Sequence, residues 1–175
     1  AAEFGGAALD VAAERRGCPA DDLMSVWTQA EVGGCPLSDD DLASDALLLL
    51  DGGAETTRTV IANGIDTLIA HPDQRELLRR ESHRMTVAVE ELIRWTTPVL
   101  NMCRVASKDT TIGGVEVEQG QQVVLMYSSA NRDEDVFEEP QRFDVTRHPN
   151  PHIAFGFGTH FCLGTSLARL ELRIM

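Results

Sequence analysis

The strongest chemical signal in this sequence is one cysteine in a glycine-rich loop, Phe155-Gly156-Phe157-Gly158-Thr159-His160-Phe161-Cys162-Leu163-Gly164, followed at once by a helical pattern. Glycines at 156, 158 and 164 let the backbone turn tightly and approach a flat ligand that side chains would obstruct. A cysteine just ahead of a helix N-terminus has its thiolate favoured by the helix dipole and by nearby N–H donors, which is what an iron ligand requires. The spacing alone also fits a glycine-rich turn around an ordinary buried cysteine. A second group is Gly52-Gly53-Ala54-Glu55-Thr56-Thr57. It falls inside a long helical pattern, where each glycine costs roughly 1 kcal/mol relative to alanine, so the pair needs a reason. A close helix crossing is one. The third group is Glu91-Leu92-Ile93-Arg94, an acid and an arginine on one helix face, which by itself is an ion pair of a few tenths of a kcal/mol.

Taken in order, the three groups resemble the cytochrome P450 family. The loop matches F-x-x-G-x-x-x-C-x-G at Phe155, Gly158, Cys162 and Gly164, the helix matches A/G-G-x-D/E-T-T/S from Gly52, and Glu91 and Arg94 match E-x-x-R. The resemblance implies heme b (iron protoporphyrin IX), with Cys162 as the metal ligand and proximal thiolate. Phe155 then shields the sulfur, Gly156, Gly158 and Gly164 shape the loop, and His160 hydrogen-bonds a heme propionate. Arg104 falls where the family places a second propionate donor, a role suited to its bidentate fork. Gly52 and Gly53 leave room for dioxygen, while Glu55 and Thr56 are the acid and alcohol that deliver protons to it. Glu91, Arg94 and Arg142 are expected to form a structural network behind the heme, and Pro98 to Asn101 to line the substrate side. One departure is Asp51, placed where the family commonly has an apolar residue, whose burial would be costly.

The implied activity is that of a heme-dependent monooxygenase, inserting one atom of O2 into a C–H bond of a small hydrophobic substrate. The implied electron supply is NAD(P)H through a ferredoxin reductase and a ferredoxin. The runs Trp95 to Arg104 and Asn150 to Phe155 look similar to actinobacterial enzymes that oxidise steroid side chains, which points to a steroid or other lipid. Two alternatives stay open: a heme-thiolate binding or gas-sensing module without turnover, against which Glu55 and Thr56 speak, and an incomplete fragment that does not hold heme.

The elements that must position these groups are mostly helical. Residues 7–32 read as a helix, a short linker and another helix, broken at Gly17-Cys18-Pro19 and closed by Gly33-Gly34-Cys35-Pro36. Ser38 with Asp39, Asp40 and Asp41 is a good helix start. From there an apolar pattern runs to Ala70, about 45 Å at roughly 1.5 Å per residue, until His71-Pro72 stops it. Pro72 to Arg80 and Thr86 to Trp95 are two further helices. Val99 to Val105, Thr110 to Val117 and Gln122 to Tyr127 read as strands turning at Gly113-Gly114 and Gly120. Asp135 to Pro151 is a long irregular stretch, expected to be functional or packed on something fixed. The expected fold class is mainly α with small β-sheets. Residues 1–175 are expected to be a single partial domain, the C-terminal part of the P450 fold without its N-terminal helices and C-terminal sheet. An N-terminus without a signal and a last helical pattern without a stop point the same way.

Composition narrows the partners. The net charge of −13 over 175 residues argues against nucleic acid and an anionic lipid surface. No apolar run approaches the roughly 20 residues that span a bilayer. Four cysteines without paired spacing fit a reducing cytoplasm. Cys18, Cys35 and Cys103 are expected to be small buried hydrophobes.

Overall fold

The computed structural model describes residues 2–175, which divide into two compact units, one ending at Glu55 and the other Thr56–Met175. In the first, helix α1 (Ala2–Gly17) is followed by α2 (Leu23–Gln29), whose cap Asp22 accepts the Ser25 backbone N–H. Strands β1 (Glu31–Val32) and β2 (Cys35–Pro36) pair antiparallel around Gly33-Gly34, both at positive φ. The glycine pair therefore makes a hairpin turn and does more than close a helix. Helix α3 (Asp39–Ala70) begins at Ser38, whose hydroxyl accepts the Asp41 backbone N–H while Asp41 accepts from the Ser38 N–H and hydroxyl. This reciprocal cap satisfies donors that the first helical turn leaves orphaned.

Helix α3 crosses the division, and its later half belongs to the second unit. There it is followed by α4 (Pro72–Arg80) and α5 (Met85–Thr96). A Cβ at Gly64 of α3 would lie 3.2 Å from Leu92 Cδ2 of α5, so this glycine permits the close approach of the two helices. Val60, Leu78, Val89, Leu92, Ile93, Phe143, Val145 and Leu172 form the core at this crossing. Strand β3 (Met102–Val105) pairs antiparallel with β6 (Gln122–Leu125). Between them β4 (Thr110–Ile112) and β5 (Val115–Val117) form a hairpin on Gly113-Gly114. A short helix α6 (Tyr127–Ala130) precedes the irregular stretch, and α7 (Thr165–Ile174) follows the cysteine loop. The expected class, mainly α with small sheets, is the one observed. No helix among the described residues is long and apolar enough to cross a membrane.

Cys18, Cys35 and Cys103 are free and exposed, which corrects the expectation of small buried hydrophobes. Two flank turns and the third lies on a two-stranded sheet whose β3 residues are all exposed. Asp51 is also exposed, so it incurs none of the burial cost its position raised.

Candidate functional site

The loop from Ile153 to Gly164 is closed by its own main chain. Gly156 N–H donates to Ile153 O (2.8 Å), Phe161 N–H to Gly158 O (3.0 Å) and Cys162 N–H to Phe155 O (2.9 Å). Gly156 and Gly158 sit at φ of 74° and 69°, which a side chain rarely tolerates. A Cβ at Gly156 would also press within 3.4 Å of His160 O. The loop thus folds only with glycine at these places, and its effect is to present Cys162 at the start of α7. The sulfur lies 3.9 Å from where a Gly164 Cβ would stand.

Cys162 is exposed, and so are its neighbours Phe157 (87%), Phe161 (52%) and Leu163 (80%). Three large apolar side chains exposed within five residues of an exposed cysteine make an apolar surface of the kind that marks a binding site. The alternative of a buried cysteine is therefore not what the loop builds. Phe155 is half-buried, packed beside His152 (5.8 Å between ring centres) and Phe161 (6.4 Å). His160 is exposed on a single 3-10 turn, and Arg104 is exposed on β3, donating to the neighbouring Cys103 carbonyl at 2.9 Å. These residues fit heme: a soft sulfur donor for iron, apolar side chains for the macrocycle, and two exposed nitrogen donors suited to carboxylates.

On α3, Gly52, Gly53 and Glu55 are exposed and Thr56 is half-buried. Among the described residues a Cβ at Gly52 or Gly53 would meet nothing within 4 Å, whereas one at Gly64 would press on Leu92. Glu55 and Thr56 both take part in polar contacts.

Glu91 and Arg94 are completely buried on α5 and form a bidentate pair, Nε to Oε2 at 2.7 Å and Nη2 to Oε1 at 2.8 Å. Arg94 also donates to the carbonyls of Asn131 (2.8 Å), Pro140 (3.1 Å) and Arg142 (3.4 Å). Glu91 accepts the Asp144 N–H (3.0 Å) and the Asn150 amide (3.1 Å). The stretch from Asn131 to Asn150 is thus wrapped on one buried ion pair. The expected third member is corrected. The Arg142 side chain is exposed and paired with Glu139, lending only its carbonyl to the network. Arg147 takes its place, with Nε 3.1 Å from Glu91 Oε2 and its other nitrogens donating to the carbonyls of Glu138, Glu139 and Arg142. That Nε–H is not aimed at the oxygen, so the contact is ionic and not a hydrogen bond.

Sequence reasoning also missed Asn131, Glu90, His152 and Arg169. Asn131 is buried, donating to Thr97 Oγ1 (2.9 Å) and accepting the Ile153 N–H (2.8 Å), which ties the start of the cysteine loop to the end of α5. Glu90 accepts both Arg169 Nε (2.7 Å) and Nη2 (2.9 Å) and lies 3.0 Å from His152 Nε2. Burial disfavours its charge, but hydrogen bonds from His152 and Arg169, with the charge of Arg169, outweigh it and hold the carboxyl at about 2. Glu90 and Arg169 are 79 residues apart and neither belongs to a motif, so no local signal could have found the pair.

A family model described as Cytochrome P450 matches residues 19–175. The chain is 52% identical over 163 residues to a steroid C26-monooxygenase of Mycobacterium tuberculosis, covering 93% of this chain and 44% of that protein. It is 45% identical over 174 residues to a steroid C26-monooxygenase of Rhodococcus jostii, covering 99% and 36%. Among solved structures, a Mycobacterium marinum cytochrome P450, CYP268A2 in complex with pseudoionone, superposes with a TM-score of 0.92 at 45% identity, covering 98% of this chain and 42% of that one. CYP109E1 from Bacillus megaterium in complex with testosterone gives 0.92 at 39% identity, covering 99% and 48%. The chain therefore spans less than half the length of these relatives.

Proposed function

The chain belongs to the cytochrome P450 family, and from that premise we propose that it is part of a heme-dependent monooxygenase acting on a small hydrophobic substrate, a steroid or other lipid. The observation that carries the reading is the exposed Cys162 on a glycine-shaped loop that also exposes Phe157, Phe161 and Leu163. The names of the mycobacterial and Rhodococcus relatives support the steroid class. Heme b would supply activation of dioxygen and insertion of one oxygen atom into a C–H bond.

The protein's own residues divide the remaining work. Cys162 would hold the iron, and the Phe155 ring, Gly156, Gly158 and Gly164 would keep the sulfur's approach narrow and apolar. Arg104 and His160 would bind the heme propionates. Gly52 and Gly53 would keep a side-chain-free stretch on α3 for dioxygen, and Thr56 Oγ1 and the Glu55 carboxyl would hold the protons the reaction consumes. Glu91, Arg94 and Arg147 take no part in proton movement and hold the irregular stretch behind the loop. Residues 1–175 together form part of one catalytic domain. Electrons come from NAD(P)H through a ferredoxin reductase and a ferredoxin. The free cysteines and the lack of a membrane-spanning helix among the described residues are compatible with a cytoplasmic setting.

The test is Cys162→Ser in the complete heme-loaded protein. It is expected to abolish the red-shifted Soret band of the reduced carbon monoxide complex, and an unchanged band would overturn the ligand assignment. For the substrate class, a steroid with an aliphatic side chain is expected to shift the ferric Soret band on titration, and a flat titration would remove that class.

A further inference from the structure

The Glu90–Arg169 pair stands directly behind the cysteine loop without belonging to the Glu91 network. Arg169 lies on α7, seven residues past Cys162, and its guanidinium carbon sits 4.7 Å over the Phe155 ring. The carbonyl of that same Phe155 accepts the Cys162 N–H at 2.9 Å. Glu90, from α5, grips the guanidinium with both oxygens, and His152, almost fully buried, closes the far side of the carboxylate while packing on Phe155. One acid therefore fixes where the cation sits, and the cation lies against the ring whose main chain holds the cysteine amide. The hydrogen bonds from Arg169 to Glu90 raise the pKa of its guanidinium against the effect of burial, so it stays a cation beside the Phe155 ring. A shallow cleft lined by Thr86, Val89, Glu90, Ser166, Arg169 and Arg173 admits water to one side of the pair.

We propose that Glu90 and Arg169 are positioning residues for the Cys162 sulfur, a matched charge pair that sets the electrostatic potential at the iron ligand and hence the ease with which a bound heme accepts an electron. This rests on the proposed heme-thiolate reading. The physical basis is simple: reduction adds one negative charge at the iron, and a nearby positive charge favours it while a negative one opposes it. In the native pair the two charges nearly cancel. Removing either partner leaves the other uncompensated, so the two single variants must act in opposite directions.

The experiment is a redox titration of the complete heme-loaded protein and three variants: Arg169→Gln, Glu90→Gln and the two combined. Arg169→Gln is expected to lower the midpoint potential, Glu90→Gln to raise it, and the double variant to fall between them, with the red-shifted carbon monoxide band retained in all. Loss of packing alone would move both single variants the same way, and that result, or no movement, overturns the proposal. If Arg169→Gln does not incorporate heme, the sign for Glu90→Gln and the return in the double variant still decide it. A native protein without the carbon monoxide band would overturn the heme reading itself, a failure distinguishable from an unmoved potential.

Discussion

Arg94 and Arg147 bring their Nε atoms to the same oxygen of Glu91, Oε2, at 2.7 and 3.1 Å. One buried carboxylate thus serves two guanidinium groups from different parts of the chain. Their contributions differ. Arg94 makes a full bidentate pair with Glu91, while Arg147 touches it ionically and spends its directed bonds on carbonyls.

Arg94→Lys tests the first of these. A lysine carries a point charge and cannot reach a carboxylate and three carbonyls with a planar fork. Left partly unpaired, Glu91 becomes a buried charge, and the expected loss is about 3 to 5 kcal/mol, measured by urea unfolding together with heme retention. A loss under about 1 kcal/mol would contradict the network.

Arg147→Ala and Arg142→Ala should separate cleanly. The first deletes three charged donors to main-chain carbonyls beside an ion pair and is expected to cost about 2 to 3 kcal/mol. The second removes an exposed pair with Glu139 and should stay within about 0.5 kcal/mol. Equal effects would restore Arg142 to the network and displace Arg147.

Asn131→Ala removes the amide that joins Thr97 to Ile153. Buried Thr97 and half-buried Ile153 lose their hydrogen bonds, for an expected cost of about 2 to 4 kcal/mol. Because Ile153 opens the cysteine loop, heme occupancy should fall as well. Normal occupancy in a destabilised variant would confine Asn131 to the fold.

Glu90 gives a pH signature. Its carboxyl is held at about 2, below its ordinary 4.5, so the stabilisation is complete above 4.5 and drains away as pH falls toward 2. Unfolding midpoints of the native protein should therefore drop faster below pH 4.5 than those of Glu90→Gln. Parallel curves would show that the pair carries no such linkage.

Thr56→Ala is expected to leave heme incorporation unchanged and to divert NAD(P)H electrons into hydrogen peroxide, read as the ratio of product to NAD(P)H consumed. An unchanged ratio would remove Thr56 from proton delivery.

Much of this arrangement was legible in the sequence because it is written locally. The run from Ser38 to Ala70 carries its own cap and its own stop at His71-Pro72, and the structure returns the helix within one residue. The cysteine loop is likewise local, since Gly156 and Gly158 must be glycines for the turn to close. Arg147 was not legible for the opposite reason. Arg142 and Arg147 both lie in a stretch without periodicity, and only three-dimensional wrapping decides which reaches Glu91. The spacing of Gly52-Gly53 could not tell an oxygen site from a packing device, nor could it single out Gly64, the glycine of the same helix that lies against Leu92.

Arg94 addresses the irregular stretch through main-chain oxygens of Asn131, Pro140 and Arg142, and not through side chains. Every amino acid carries that oxygen. The path of this segment is therefore dictated by a cation outside it, and Arg94's grip does not depend on which side chains stand at those places, although Asn131 is held separately by its own amide. An inserted or deleted residue between 131 and 142 should do more harm than most substitutions there.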